Sequence, residues 1–521
     1  MLTAIALLLL ATAGDVRKPA VQLDEAFAKN PASIPEAMRA LGNSFMSEDA
    51  ARRAATEELL LELIAHRAQR PDADVRTVAS FALIDPARFM EDRAFRARVS
   101  EFLPRALNGN VSKPIRDEAL RYLNRYARID FDLAERIAQR DSHARRIAFP
   151  SALRMPDDIS GPIETSIYSL PSQFFTPTEA QAFLDAVKKS APKRRLVVLS
   201  DMKLKNADVV DTFARSYTPW PRDPFTVART TGGVVLVNRP NLQPEREEDS
   251  NMVRALVQDA LDASWTVASI PFHNGHVLLT PDAAWISIHT VEIRALQILD
   301  LDRVPVHTFT EKAGVEKYLA AVNEAAKELE ALYNRPVRFV HPLKDDVESM
   351  RRLGGGAGFD LDSVMTLLPR PNASLVALIG DPSLGAKIAK EADWTPYGVK
   401  GDVAAAQSAP DVVALSIYLD TIASHLAANG VIVRRLPLIH VPASFAADAP
   451  KDFLVTWNNV VLETRGSERR AEGFAARLDA GDKLARETFA AAGYELELFP
   501  PLMRSVVLSG GYRCASNHVR P

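Results

Sequence analysis

The sequence predicts a mixed α/β or α+β domain of about 340 residues that follows an all-helical segment. From residue 179 onward, short apolar runs rich in β-branched residues alternate with amphipathic helices, with two or three strands for each helix. Residues 21–148 have apolar positions at helical spacing instead. Residues 149–178 are rich in proline. These patterns indicate an all-α domain at 21–148, a linker at 149–178 and an α/β domain at 179–521.

The N-terminal helices carry a possible repeat. One helix is predicted at Ala50–Ala68, and two more begin near Val75-Arg76 and Ile115-Arg116. The last two starts are about 40 residues apart, which resembles HEAT-type helical repeats, and a generic helical bundle is predicted equally well. Such a segment offers a surface for a protein partner and has no motif that indicates chemistry.

The first 14 residues resemble an export signal. Ala4–Ala11 is an apolar run, and Ala11-Thr12-Ala13 is a small-residue cleavage site before Gly14, although the start of the chain lacks Lys and Arg. The alternative is a buried N-terminal helix. The apolar run is too short to span a bilayer, so an exported protein, periplasmic or secreted, with no membrane span is expected.

Composition narrows the class of partner. Hydrophobic residues make up 47% of the chain and charged residues 25%, as in globular proteins with real cores. The net charge of −3 argues against a nucleic-acid partner. The single cysteine, Cys514, excludes an internal disulfide.

The elements of the α/β domain are predicted from apolar periodicity and from the residues that punctuate it. Thr176 or Thr178 is expected to cap the first helix, Pro281-Asp282 to turn a hairpin, and Gly430 and Gly493 to end helices. The predicted strands are 195–200, 233–237, 277–279, 284–288, 337–340, 364–368, 375–379, 431–433, 453–456, 460–462 and 494–498, and the helices are 179–189, 251–264, 316–333, 411–429 and 483–492.

The end of the chain places the cysteine after a turn. Ser505–Leu508 is apolar and β-branched, which predicts a short buried strand, and Gly510-Gly511 permits a sharp turn or a close approach. A thiol after such a turn lies at the rim of a sheet, where nucleophiles are often presented. Taken alone, Cys514 fits a small buried hydrophobic residue better than a nucleophile.

Three segments together resemble the guanidino-group-modifying superfamily of arginine deiminase, agmatine deiminase, peptidyl-arginine deiminase and the amidinotransferases. They are Trp220-Pro221-Arg222-Asp223-Pro224-Phe225 with Gly232-Gly233 and Arg246 after it, then Asp360-Leu361-Asp362, and finally Gly510-Gly511-Tyr512-Arg513-Cys514. The resemblance covers about residues 170–521 and rests on the order and spacing of the motifs. It implies the pentein fold, a five-bladed α/β propeller with the site at its centre.

The resemblance also implies roles for the motif residues. Asp223 and Asp362 would hold a substrate guanidinium, with Arg246 as a further substrate-binding residue, and Cys514 would be the nucleophile. Carboxylates bind planar guanidinium groups through charge-assisted and often bidentate hydrogen bonds, so these roles are chemically sensible. The alternative for Asp223 is a turn residue before Pro224.

The sequence departs from the family pattern at the acid–base group. The family has His-x-Asp where this chain has Asp360-Leu361-Asp362, and general acid–base help is typically worth about 10²–10⁴-fold. The deiminase Glu-Gly-Gly-Asp or Gly-Gly-Asn segment reads His273-Asn274-Gly275-His276 here. Three alternatives stay open: His276, His273 or Asp360 performs the acid–base step, the site is inactive, or a zinc ion binds among these residues, Asp362 and Cys514.

The sequence therefore predicts a hydrolase that acts on a C–N bond of a guanidino compound, with altered acid–base residues and with no metal or cofactor. The substrate would be free arginine, a peptidyl arginine or another guanidino compound. The alternative is an inactive pentein that binds a cationic guanidino ligand or a protein partner.

Overall fold

A computed structural model describes residues 34–68, 94–95, 98–99, 102, 147–150, 153–156, 161–210, 217–239, 249, 251–268, 270–301, 312–344, 346–353, 359–370, 374–447 and 449–520. The predicted export signal, the helices predicted after Val75 and Ile115, and Arg246 lie outside these residues. The chain divides into one unit of residues 1–146, 213–215 and 240–251 and another of residues 147–212, 216–239 and 252–521.

The described part of the first unit is helical. Its helices are Ile34–Phe45 and Ala50–Ala68, and the second has the bounds predicted from the sequence. The Phe45 ring is buried and meets Phe95 and Phe102 edge-to-face, with centroids 6.0 and 5.7 Å apart. Helical repeats in this unit stay a prediction.

The described part of the second unit is an α/β structure in which seventeen strands form five separate sheets. In each sheet an antiparallel pair is followed by a strand parallel to the second member, and the parallel connection contains at least one helix. The strands are β1 (Thr165–Ser169), β2 (Arg195–Leu199), β3 (Asp208–Val210), β4 (Phe225–Thr230), β5 (Gly233–Asn238), β6 (Ala263–Val267), β7 (Val277–Leu279), β8 (Ala284–Ile286), β9 (Val337–Phe339), β10 (Met365–Pro369), β11 (Leu375–Asp381), β12 (Ile432–Val441), β13 (Phe453–Thr456), β14 (Val461–Arg465), β15 (Glu468–Phe474), β16 (Glu495–Phe499) and β17 (Ser516–Val519).

The sheets run in the orders β17-β1-β2-β3, β4-β5-β6, β7-β8-β9, β10-β11-β12-β13 and β14-β15-β16. The helices of this unit include one that follows a Thr176 cap, as predicted. They are Pro177–Ser190, Asn251–Asp259, His289–Ile298, Lys312–Tyr333, Val347–Leu353, Leu361–Val364, Pro382–Ala389, Val403–Ala406, Pro410–Ala428, Asp479–Ala491 and Met503–Val507, with single 3₁₀ turns at Asn274–His276, Thr395–Tyr397 and Ala443–Phe445.

The last strand of the chain pairs with the first strand of this unit. β17 is antiparallel to β1, with Thr165 opposite Val519, and β1 is parallel to β2. All five residues of β1 are buried. The prediction of a linker over residues 149–178 is therefore wrong for this stretch, because Pro162 and Pro171 flank β1 and do not interrupt it.

Two short apolar runs adopt a different structure from the predicted one. Ser505–Leu508 was expected to be a strand, but the chain forms the helix Met503–Val507, and the strand follows the cysteine as β17. The helix predicted to end at residue 264 ends at Asp259 and is followed by β6. Short apolar runs fit both helical and strand periods, so neighbouring strands and contacts decide between them.

A buried ion cluster supports the segment before the cysteine. Arg194 donates to Glu472 at 2.7 Å and to Glu463 at 2.8 Å, and all three side chains are at most 1% exposed. Tyr512 donates to Glu472 at 3.1 Å and lies 2.9 Å from the Tyr168 hydroxyl. Because an uncompensated buried charge is costly, these contacts fix Tyr512, two residues before Cys514.

The helix Pro410–Ala428 is long and apolar enough to count as a candidate membrane span by composition. Its buried side chains recur at helical spacing, among them Leu415, Leu419 and Ile422, which belong to a buried hydrophobic cluster. One face of the helix therefore packs into the core, while Val413 and Ile417 are exposed.

Candidate active site

The backbone before Cys514 is pressed against two large neighbours. A Cβ on Gly510 would lie 1.8 Å from Trp220 Nε1, and one on Gly511 would lie 2.5 Å from Asn459 Cβ. The left-handed residue in this turn is Ser509, with φ of 71°. The two glycines thus permit the predicted close approach, and they bring Cys514, which is 3% exposed, beneath Asn459.

The Asn459 side chain holds the thiol and a carboxylate in one arrangement. Its Nδ2 lies 3.1 Å from Cys514 Sγ and 2.9 Å from Asp362 Oδ1, while its Oδ1 accepts the Cys514 backbone N–H at 3.1 Å. The sequence analysis missed Asn459. The signal in the sequence was the pair Asn458-Asn459 between two predicted strands. Both asparagines are buried, and buried amide side chains are almost always hydrogen-bonded.

Asp362 is fully buried and already binds a guanidinium of this chain. Both of its oxygens are 4.0 Å from Cys514 Sγ, and Oδ2 accepts a hydrogen bond from Arg513 Nη1. Arg513 also donates to the carbonyls of Asn274 and Val277, at 3.2 and 2.9 Å. Arg513 was quoted from sequence as part of a motif, but its pairing with the predicted substrate ligand was missed.

Asp223 lies in the turn before β4 and is 5% exposed. The amides of Asn274 and Asn517 both donate to the carbonyl of Phe225, at 3.0 and 2.9 Å, and so fix the end of this turn. The negative charge of Asp223 raises the pKa of Cys514. Of the two carboxylates predicted to bind substrate, Asp362 therefore lies beside the thiol, and Asp223 is near enough for its charge to act on it.

The surroundings of Cys514 disfavour its thiolate. Burial raises its pKa well above the ordinary thiol value, and the charges of Asp362, Asp223 and Asp360 raise it further. The hydrogen bond from Asn459 acts in the opposite direction. The thiol is therefore protonated at neutral pH, in contrast to the lowered pKa expected of a reactive cysteine, and a cation among the carboxylates would oppose this effect.

The His273–His276 turn wraps around the Asp360 carboxylate. His276 Nε2 lies 3.2 Å from Asp360 Oδ1, and His273 Nδ1 lies 3.7 Å from the same oxygen. A Cβ on Gly275 would fall 2.4 Å from Asp360 Oδ2, so only glycine allows this approach. One ligand atom from each of Asp360, Asp362 and Cys514 also lies within 4.8 Å of the others. Asp360 therefore stands between the histidines and the thiol.

His276 is neutral in this setting. Burial lowers its pKa well below the ordinary value, and the nearby charges of His273, His289 and Arg239 lower it further. Its Nδ1 lies 3.2 Å from Ser287 Oγ. A neutral imidazole with one nitrogen on a hydroxyl and the other facing a carboxylate can carry a proton or ligate a metal.

A cavity of about 80 Å³ lies beside Asp360. Ser363, Asn459, Gly511 and Lys451 are among its other lining residues. The cavity therefore reaches one carboxylate of this group, that of Asp360.

The pKa of Asp362 predicts a pH-dependent affinity for cations. Burial raises this pKa to about 7, with Asp360 adding to the rise and Arg513 opposing it. A cation must displace the proton below that pH, so we expect the affinity for methylguanidinium to rise by about tenfold per pH unit from pH 5 to 7 and then level. Titration calorimetry in two buffers of different ionisation enthalpy measures the accompanying proton release. The Asp362→Asn variant is the control, and a flat affinity over this range in the native protein would contradict the prediction.

Comparison with known proteins gives structural matches only. No family model and no curated protein sequence matches this chain. A solved structure of agmatine deiminase of Enterococcus faecalis is 12% identical, covers 71% of this chain and 96% of its own, and has a TM-score of 0.45. Dimethylarginine dimethylaminohydrolase (DDAH) from Pseudomonas aeruginosa, a cysteine-to-serine mutant complexed with citrulline, is 11% identical, covers 69% and 100%, and has a TM-score of 0.30.

A second DDAH structure, a histidine-to-glycine variant in an adduct with S-methyl-L-thiocitrulline, is 11% identical, covers 68% and 100%, and has a TM-score of 0.29. Agmatine deiminase and DDAH are members of the pentein superfamily, which is the superfamily that the sequence motifs resemble.

Proposed function

We propose that this protein hydrolyses a C–N bond of a guanidino or amidino cation through a covalent intermediate on Cys514. One observation carries the proposal: the buried Cys514 thiol lies within 4.8 Å of a carboxylate oxygen of Asp360 and of Asp362, and the charge of Asp223 acts on it as well. Such a site disfavours a free thiolate and favours a cationic electrophile, because the cation satisfies the carboxylates and lowers the pKa of the thiol together.

Asp223 and Asp362 would hold the cation in this proposal. A planar guanidinium offers several N–H donors, and carboxylates accept them in pairs. Arg513 neutralises part of the Asp362 charge, so the negative charge of the three carboxylates is reduced. The charge that remains is one that a monocation can balance.

The chemistry would proceed in two steps that balance. In the first, the thiolate forms a C–S bond to the central carbon, one C–N bond breaks, and the thiol proton leaves with the amine. In the second, water attacks the same carbon, the C–S bond breaks, one water proton returns to the sulfur, and the other leaves and protonates the released amine. The net reaction converts a guanidinium and water into a ureido product and an ammonium ion.

We assign proton transfer in both steps to the Asp360–His276 pair. An Asp360 carboxylate oxygen lies within 4.8 Å of Cys514 Sγ, and Asp360 Oδ1 lies 3.2 Å from His276 Nε2. The family histidine is replaced by Asp360, and the histidine of the pair comes from the neighbouring turn. His273 orients the same carboxylate from 3.7 Å.

The repeated sheet topology supports a further part of the proposal. Five sheets of the same construction, with β17 returning to β1, are what a pentein propeller would require. We propose that these sheets are its blades.

A matched pair of alkylating reagents tests the function. Chloroacetamidine is a cation at neutral pH, and chloroacetamide is its neutral isostere. The quantity to compare is the rate of alkylation by chloroacetamidine divided by the rate with chloroacetamide. We expect this ratio to be at least about tenfold higher for Cys514 than for free cysteine, because the three carboxylates attract the cation. A ratio equal to that of free cysteine would overturn the proposal. Ammonia release from a panel of guanidino compounds then identifies the substrate.

Binding without turnover is a second candidate, and Arg513 favours it. Its guanidinium already lies on Asp362, which the family uses for substrate. In that case chloroacetamidine would still label Cys514 preferentially, guanidino compounds would protect against labelling, and no ureido product would form.

A further inference from the structure

We propose that His273, His276 and Asp360 form a binding site for a divalent transition-metal ion, with zinc as the ion that best fits the ligands. The reaction proposed above needs no metal, so this site goes beyond it. Two imidazoles and one carboxylate are a common ligand set for zinc and for its first-row neighbours.

The two histidine–aspartate separations are close to those around a tetrahedral ion. Metal–ligand bonds of about 2.0–2.1 Å place two ligands of a tetrahedral zinc about 3.3 Å apart. The His276–Asp360 and His273–Asp360 separations are 3.2 and 3.7 Å. All three potential ligand atoms lie within 4.8 Å of one another, so small rotamer adjustments would suffice.

His276 makes the kind of hydrogen bonds that usually orient a metal-binding histidine. Its Nδ1 lies 3.2 Å from Ser287 Oγ, which can accept the proton of that nitrogen and leave Nε2 free to coordinate. The His276 carbonyl accepts from Thr290 Oγ1 at 3.0 Å and fixes the backbone as well. Such outer contacts orient the ring before an ion arrives.

His273 also has a nitrogen in the required state. Its Nδ1 accepts the backbone N–H of Gly275 at 3.2 Å, so this nitrogen carries no proton. Coordination would exchange that contact for a bond to the ion. Gly275 contributes a second feature, because its missing side chain lets Asp360 enter the turn.

A second triple, Asp360, Asp362 and Cys514, meets the same distance criterion. It is the poorer site because Arg513 donates to Asp362, and a guanidinium beside the carboxylate repels a divalent ion. Asn459 also donates to both Asp362 and the sulfur. The ion is therefore expected on the histidine side of Asp360.

An ion held by three protein ligands keeps a coordination position for water. Here it would take the place of the proton shared by Asp360 and His276, and the water would carry that proton instead. This role rests on the proposed function, whereas metal binding itself does not.

The test is zinc binding to the full chain after treatment with a chelator, followed by competition with a chromophoric chelator. We expect one zinc per chain, and we expect His276→Gln, His273→Gln and Asp360→Asn each to weaken binding by at least about 100-fold. His289→Gln is the matched control, since its ring lies 6.0 Å from His276 but outside the triad. Thermal unfolding with and without zinc establishes that each variant is folded.

Cobalt(II) reports which side chains coordinate. We expect the absorption bands of a tetrahedral cobalt site without a thiolate-to-cobalt charge-transfer band, and Cys514→Ala should leave the spectrum unchanged. No zinc binding by the native chain, equal binding by the triad variants, or a thiolate band lost in Cys514→Ala would each overturn the proposal. Cationic labelling of Cys514 is measured separately in chelator, so failure of the metal site and failure of the proposed function are distinguishable.

Discussion

Replacing Cys514 with alanine should reduce turnover of a guanidino substrate by about 10⁴-fold or more. The sulfur supplies the bond that splits the reaction into two steps, and water alone attacks a resonance-stabilised guanidinium slowly. Binding of the substrate should persist or tighten, because the carboxylates that hold the cation remain and the buried thiol is removed. Steady-state ammonia release and calorimetric binding measure the two effects separately.

Ser505→Ala is the matched control for that variant. Ser505 lies in the same C-terminal segment and donates to the Gly510 carbonyl at 3.0 Å, so its loss perturbs the turn but removes no reacting atom. We expect it to retain turnover within about tenfold. Turnover by Cys514→Ala close to the native rate would show that the thiol is not the nucleophile.

Changing Asp223 to asparagine should weaken binding of a guanidinium by about 100-fold or more, because removing one partner of a buried charge pair costs about 2–5 kcal/mol. The substitution keeps the size of the side chain and removes its charge. It should also lower the pKa of Cys514, since Asp223 is one of the charges that raise it. Methylguanidinium affinity and the pH dependence of alkylation by neutral chloroacetamide provide the two measurements.

Glu487→Gln removes one negative charge from an exposed helix position and is the control for net charge. It should change neither measurement, because charges in solvent are screened. If Asp223→Asn bound methylguanidinium as tightly as the native protein, Asp223 would be a turn residue only. A raised thiol pKa in that variant would contradict the electrostatic account of Cys514.

Much of the secondary structure follows from local patterns in the sequence. Ala50–Ala68 and β13 have the bounds that periodicity predicts, and the hairpin across Pro281-Asp282 was expected and is formed by β7 and β8. The misses share one cause. Ser505–Leu508 has too few residues to distinguish a helix from a strand, and β1 is stabilised by partners far along the chain.

Individual residues of the candidate site were predicted from the sequence, but the contacts between them were not. Asp223, Asp362 and Cys514 were chosen because their order resembles that of a family's motifs. The structure places Asp362 beside Cys514, and Asp223 is near enough for its charge to act on the thiol. Asn459 was missed because its role consists of contacts with residues 97 and 55 positions away. No local pattern encodes such contacts.

The sequence by itself determined which chemical groups the site contains: one thiol, several carboxylates, and the histidines of the 273–276 segment. Only the tertiary structure decided that Arg513 lies on Asp362, 151 positions away, and that Asp360 separates the histidines from the thiol. It also decided that burial and nearby carboxylates raise the pKa of Cys514. The reason is physical, since pKa values and ion pairs depend on burial and distance in space, whereas the sequence specifies only residue types and their order.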